Sequence, residues 1–322
     1  MKHARRAMLV YKDDMLHKKN VVGCGISLKE IQGSLTSVPC VVLFVAKKQP
    51  LSTLAVTDVI PPKLGAIPTD VVEIGHLRLL ESNRTAYARP AYPGMSIGHY
   101  KTTAGTFGAV VYDRRTGAPL ILSNNHVLAN ASDGQDGRCE IGDPIYQPGS
   151  YDGGKSKDII GRLYRFSPVI PISNASLAVR RRKRIASLQT RAQNRNLIDA
   201  ALAKPLENNM INPQIMQIGL VTDTASVEVG SIIKKSGRTS GLTTGVVRAL
   251  SATLDVELDE GRSARFVDQI VASPMGQPGD SGSLGVTGTN KAFGLLFAGS
   301  DSATIFNRIE NILELLSVRM TP

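Results

Sequence analysis

The sequence contains no tryptophan, and aromatic residues make up only 5% of its 322 positions. Stacking platforms for single-stranded nucleic acid are therefore scarce, which argues against nucleic-acid binding as the main role. Cysteine is also rare. Cys24, Cys40 and Cys139 are an odd and unclustered set, with neither a disulfide framework nor a zinc-ligand spacing. No run approaches the roughly 18 apolar residues of a membrane span. The cationic start, Met1 to Met8, is not followed by an apolar stretch of signal-peptide length before Lys12. These absences lead us to expect a cytoplasmic protein with no membrane contact, no metal site and no cofactor.

What is present suits an ordinary folded protein. Hydrophobic residues make up 42% and charged residues 20%, and the length fits two or three compact units. The net charge of +11 is uneven: Arg180, Arg181, Arg182, Lys183, Arg184, Arg191 and Arg195 form an acid-free run, and without them +4 remains. This basic insertion, about 168–196, reads first as a solvated segment. Docking of an acidic partner or of nucleic acid at Arg180–Arg195 is the sharper reading, and self-cleavage there is a third.

Residues 1–90 read as a small α+β domain. A polar, helical start leads to strand candidates at Val21–Ile26, Val38–Ala46 and Thr69–Gly75, with prolines between the last two. Residues Ser82 to Pro93 read as a linker. From residue 91 to 322, short apolar strands alternate with glycine-rich turns: Gly105–Val111, Leu120–Leu122, Asp158–Leu163, Gly230–Ile233, Gly245–Leu250, Phe266–Val271 and Ala292–Phe297. Such a run suggests a barrel or a sandwich. Ile305, Ile309, Ile312, Leu313 and Leu316 then fall on one face of a helix.

Three local signals in this mainly β half carry chemistry. His126 follows the apolar stretch Leu120–Leu122, where a strand end gives a ring a fixed backbone and an open side. Asp199 stands between Leu197-Ile198 and Ala200-Ala201-Leu202. A carboxylate among apolar neighbours needs a partner, and an imidazole nitrogen would serve. The third is Gly279-Asp280-Ser281-Gly282-Ser283. Its glycines permit tight backbone turns, in which consecutive N–H groups converge beside an unhindered hydroxyl. A serine nucleophile needs both a base and such donors. Each signal alone has a plain structural reading: a backbone-bonded histidine, a turn aspartate, a flexible Gly/Ser loop.

Taken together and in this order, they resemble the chymotrypsin-like (trypsin-fold) serine proteases. The separations are 73 residues from His126 to Asp199 and 82 from Asp199 to Ser281. Val21-Val22-Gly23-Cys24-Gly25, Pro68-Thr69-Asp70-Val71-Val72, Ser123-Asn124-Asn125-His126-Val127-Leu128 and Lys235-Ser236-Gly237-Arg238-Thr239 are similar to bacterial trypsin-like proteins related to the plant narrow-leaf proteins. The resemblance implies two six-stranded-type antiparallel β-barrels with a C-terminal helix, preceded by the small α+β domain. It implies hydrolysis of a protein or peptide substrate, with Ser281 as nucleophile, His126 as base and then acid, and Asp199 orienting the imidazole. Gly279 and Ser281 would supply the oxyanion-hole amides. Met275, Phe297, Ala298 and Gly299 would shape the primary substrate pocket, and without an acid at Met275 an apolar residue before the cut is expected.

Departures from that family's pattern have consequences. Ser283 stands where a glycine is usual. Asn124 and Asn125 replace the small residues before the histidine. In secreted relatives a newly released N-terminus pairs with the acid before the nucleophile, here Asp280. The tempting Lys19-Asn20-Val21-Val22-Gly23 reads better as a strand of the first domain, so Asp280 needs another partner. Two functional classes follow: an active, regulatory endopeptidase, or a catalytically silent fold of the same type that binds partners. Either leaves room for a homo-oligomer.

Overall fold

The computed structural model describes residues 1–31, 33–75, 83–172, 195–259 and 261–322. The chain divides into two compact units, residues 1–82 and 83–322.

In the first unit, helix α1 (Lys2–Leu16) precedes strands β1 (Val21–Ile31), β2 (Ser34–Val45), β3 (Lys63–Leu64) and β4 (Ile67–Glu73). The strands form one sheet in the order β1-β2-β4-β3, and β2 and β4 run parallel. Met8, Tyr11 and Met15 recur at helical spacing and pack on Val41, Leu43 and Leu64.

The second unit is mainly β. Its first sheet uses β5 (Ser96–His99), β6 (Gly105–Thr106), β7 (Ala109–Asp113), β8 (Pro119–Ser123), β9 (Pro144–Tyr146), β10 (Ile159–Phe166) and β11 (Ala201–Pro205). A one-turn helix, α2 (Asn125–Leu128), follows β8. The second sheet comprises β12 (Ile232–Gly237), β13 (Gly241–Asp259), β14 (Arg262–Ala272), β15 (Leu284–Thr287), β16 (Ala292–Ser300) and β17 (Ala303–Arg308). It closes into a six-stranded barrel, β12-β13-β14-β17-β16-β15. Helix α3 (Ile309–Leu315) follows, and the last strand, β18 (Val318–Arg319), returns to the first sheet beside β7. That sheet thus has eight strands, in the order β18-β7-β8-β11-β10-β9-β5-β6.

Mainly β structure in two sheets with a C-terminal helix is the architecture expected from the sequence. The helix is shorter than its periodicity suggests. Ile309, Ile312 and Leu316 do pack inward together, but Ile305 belongs to strand β17 and to a different apolar cluster. The inward face of α3 joins Leu120 and Leu122 of the first sheet to Leu284 and Leu295 of the barrel in one core. Burying each such side chain contributes about 1.5–3 kcal/mol, so the two sheets are held by shared packing. The expected linker behaves differently from its composition. Arg84 is buried, and its guanidinium donates to Gly94 O at 2.9 Å and to Gln217 Oε1 at 2.7 Å. Of the basic insertion only the ends are described. Residues 173–194, with six of the seven cations, lie outside the described residues.

Candidate active site

The site starts from the pairing of β8 with β11. Ser123 stands opposite Ala201 and Leu122 opposite Leu202 in an antiparallel register. His126, three residues after Ser123, and Asp199, two before Ala201, therefore leave the same end of the pair. The chain turns there because asparagine side chains take over from the ladder. Asn124 Nδ2 donates to Asp199 O at 2.7 Å. Asn125 Nδ2 donates to Ser132 O at 3.0 Å and Ser167 O at 2.7 Å, while its Oδ1 accepts from Ser132 N–H at 3.1 Å. Both asparagines are fully buried. The residues that depart from the resembled histidine motif are thus the ones that secure this histidine.

Asp199 grips His126 twice. Its Oδ2 lies 2.5 Å from His126 Nδ1, and its Oδ1 accepts the His126 backbone N–H at 3.1 Å. The carboxylate is 3% exposed and the imidazole 31%, so one ring edge stays open to solvent while the other is sealed. Burial opposes the charged imidazole, but the nearby Asp199 charge and its hydrogen bond outweigh that. Together they hold His126 above the ordinary histidine value. Asp199 is itself positioned by the barrel. Its N–H donates to Asn307 Oδ1 at 2.9 Å, and Asn307 Nδ2 donates to Gln269 Oε1 at 2.7 Å. Just upstream, Asn196 N–H donates to Arg265 O at 2.9 Å, tying the approach to Asp199 onto β14.

Ser281 sits in the turn before β15. This turn docks on β6: Thr106 N–H donates to Ser281 O at 2.7 Å, and Thr106 Oγ1 donates to Gly279 O at 2.9 Å. A Cβ on Gly105 would lie 2.4 Å from Val127 Cγ2 and 3.0 Å from Ser281 O, so the turn and the histidine helix meet across one glycine. Gly282 has φ +94°, and a Cβ there would lie 2.2 Å from Ser123 Oγ. Gly279 also has φ +94°. The amides of Gly279 and Ser281 find no acceptor among the described residues, whereas those of Asp280, Gly282 and Ser283 are bonded within the fold. No hydrogen bond joins Ser281 Oγ to His126 among the described residues. Such bonds are often long before substrate binds.

Asp280 has a partner that the sequence reading missed. Lys235 Nζ lies 2.8 Å from Asp280 Oδ2, and both side chains are wholly buried. Ser240 Oγ, Gln277 N–H, Thr239 N–H and Ser240 N–H complete the shell at 2.5–3.1 Å. Burial disfavours the carboxylate, but Lys235 and the Ser240 bonds overcome it and keep Asp280 below the usual aspartate value. A signal was available in the sequence. Strand alternation places Lys235 on the same face as Ile233, and both are fully buried.

The residues expected to line a substrate pocket are only partly gathered. Met275 packs with Ile233, Phe293, Leu296 and Phe306 in the barrel core. Phe297 lies in a different apolar cluster, its ring centroid 4.7 Å from that of Phe266. Ala298 is half-buried beside that second cluster, and Gly299 is exposed. A cavity of about 610 Å³ opens beside Asp152, lined by Tyr87, Pro148, Lys155 and Asp158 among others, and contains none of the expected site residues.

No protein-family model and no curated protein matches the chain. Its structure is similar to that of the Nocardiopsis protease NAPase, over 72% of this chain and 98% of that one, at 16% identity and a TM-score of 0.48. It is similar to Thermobifida fusca protease A over 72% and 99%, at 14% identity and a TM-score of 0.48. A third such structure is Cellulomonas bogoriensis chymotrypsin, over 71% and 97%, at 17% identity and a TM-score of 0.46.

Proposed function

We propose that this chain is a serine endopeptidase. The observation that carries the reading is the double grip of buried Asp199 on His126, at 2.5 Å to Nδ1 and 3.1 Å to the backbone N–H. Such a grip leaves Nε2 as the free nitrogen and favours a charged ring, which is what a general base needs at the moment it takes a proton. Ser281 Oγ then attacks the scissile carbonyl while His126 Nε2 removes its proton. The Gly279 and Ser281 amides receive the oxyanion. As the intermediate collapses, His126 protonates the leaving amine, and water repeats the sequence on the acyl-enzyme.

The Lys235–Asp280 pair supports an enzyme that needs no cleavage to order its nucleophile turn, because the cation belongs to the barrel itself. The substrates we propose are proteins or peptides with an apolar residue before the cut, because Met275 supplies no acid there to pair with a lysine or arginine. A regulatory role in the cytoplasm is part of the same proposal, and free Cys24, Cys40 and Cys139 are compatible with a reducing compartment. One observation favours the rival reading of a silent binding fold: the missing Ser281 Oγ–His126 bond.

Labelling by a fluorophosphonate separates the two. Wild type is expected to label, and Ser281→Ala to remain unlabelled. Equal labelling in both, or none in wild type, would remove the endopeptidase reading.

A further inference from the structure

The two oxyanion amides are aimed from behind. In a trans peptide the N–H points opposite to the preceding C=O, so whatever holds that carbonyl orients the amide. The cis bonds among the described residues are Arg89-Pro90 and Gln147-Pro148, so the Pro278-Gly279 and Asp280-Ser281 peptides are trans. Thr239 Oγ1 donates to Pro278 O at 2.8 Å. Ser283 holds Asp280 O with two donors, its N–H at 3.0 Å and its Oγ at 2.5 Å. Each amide therefore has a hydroxyl behind its peptide plane.

The hydroxyl of Thr239 is itself anchored. It accepts from Arg238 Nη1 at 2.9 Å, and Arg238 pairs with Asp152 through two nitrogens, Nε reaching Oδ2 at 2.8 Å. The two charged side chains are only 11% and 8% exposed. A bidentate guanidinium–carboxylate pair has a fixed orientation, and it presents Nη1 to Thr239. Backbone bonds seat the same segment, from Thr239 N–H to Asp280 Oδ1 at 2.9 Å and from Arg238 N–H to Thr106 Oγ1 at 3.0 Å. The need for such a brace follows from Gly279. A glycine at φ +94° has no Cβ to resist rotation of the peptide before it. Rotation would replace the donor with the Pro278 carbonyl oxygen, which would repel the oxyanion.

We infer that Thr239 and Ser283 are positioning residues for the reaction proposed above, on which this inference rests. Their hydroxyls hold back the Pro278 and Asp280 carbonyls, so that the Gly279 and Ser281 amides face the oxyanion before substrate arrives. Ser283, which departs from the glycine usual in the resembled motif, thereby has a specific task.

The test compares wild type, Thr239→Val, Thr239→Ser and Ser283→Ala on a peptide p-nitroanilide with an apolar residue before the scissile bond, and on the matching peptide aldehyde. Ser281 Oγ adds to the aldehyde carbon, its proton passes to His126, and the carbonyl oxygen becomes the oxyanion. In Thr239→Val and Ser283→Ala, kcat should fall about 10- to 100-fold, short of the ~10²–10³ lost when an oxyanion donor is removed outright. KM should hold steady, and aldehyde affinity should fall by the same factor as kcat. Thr239→Ser keeps the hydroxyl and should retain wild-type kcat. Thr239 is exposed, so its variants should melt with wild type. Wild-type kcat and aldehyde affinity in both hydroxyl-less variants would overturn the inference while leaving the protease reading intact. So would a loss carried by KM alone. A wild type that neither turns over the anilide nor labels with a fluorophosphonate would overturn the protease reading and this inference with it.

Discussion

Lys235 Nζ and Asp280 Oδ2 stand 2.8 Å apart, and neither side chain reaches solvent. The carboxylate precedes the proposed nucleophile, and the amine lies on β12 of the same barrel. Ordering of the Ser281 turn is thereby tied to folding of the barrel.

Lys235→Met should be strongly destabilising, because it leaves Asp280 buried without a cation. Removing one member of a buried pair typically costs about 3–5 kcal/mol. The loss should depend on pH. In wild type Asp280 is held below its ordinary value, so its contribution is present above the unfolded-state value and is lost as pH falls through the folded one. In the variant, burial without Lys235 raises Asp280, so stability is lost as pH rises instead. Urea unfolding should therefore show the gap between the two proteins narrowing from about pH 7 toward about pH 4, near the carboxylate range. A gap independent of pH would speak against the pair.

The pH dependence of kcat/KM should report His126. The base must be neutral to accept a proton, so activity should rise as pH climbs through a value above the ordinary ~6.5 of histidine. Asp199→Asn removes the charge that raises it. The acid limb should then move to lower pH, and the plateau should drop about 10⁴-fold, as loss of the imidazole's orienting acid does elsewhere. An acid limb unmoved by Asp199→Asn would assign it to another group.

Asn307→Ala should weaken both stability and turnover. It deprives Asp199 N–H and Gln269 Oε1 of their partner, and each unsatisfied buried group costs about 1–3 kcal/mol. We expect a lower Tm by calorimetry and a reduced kcat from a less firmly held Asp199. Unchanged values for both would show that this network has no role in positioning the carboxylate.

Gly282→Ala should yield no active, correctly folded protein. Its φ of +94° strains any L side chain, and the new Cβ would meet Ser123 Oγ at 2.2 Å and Thr106 O at 2.3 Å. Circular dichroism and fluorophosphonate labelling of purified protein check this, and wild-type labelling would contradict the tight docking of the turn on β6.

Much of the fold was legible because its signals are local. Val38–Ala46 and Leu120–Leu122 are apolar enough to mark the strands observed there, and Ile309, Ile312 and Leu316 mark the inward face of α3. Ile305 was misread because a strand and a helix can each present one apolar residue at the same spacing when the boundary between them is unmarked. The Ser82 to Pro93 stretch reads as a linker, yet Arg84 within it is buried and donates to Gln217 Oε1, 133 positions away in the chain. Phe297 was expected to share a pocket with Met275, but it is Leu296, its neighbour on β16, that joins the cluster of Met275, while Phe297 belongs to a different core.

The sequence by itself determined the chemistry of the candidate site: a histidine at a strand end, an acid among apolar residues, and a serine between glycines. Those are properties of short segments, set by side-chain type and backbone freedom. Tertiary structure alone decided what those segments rest on. Lys235 is 45 positions from Asp280, Thr239 is 39 from Pro278, and Asn307 is 108 from Asp199. Such partnerships are made by the closure of a barrel and the register of its strands, and no local pattern encodes which distant donor will meet a given buried acceptor.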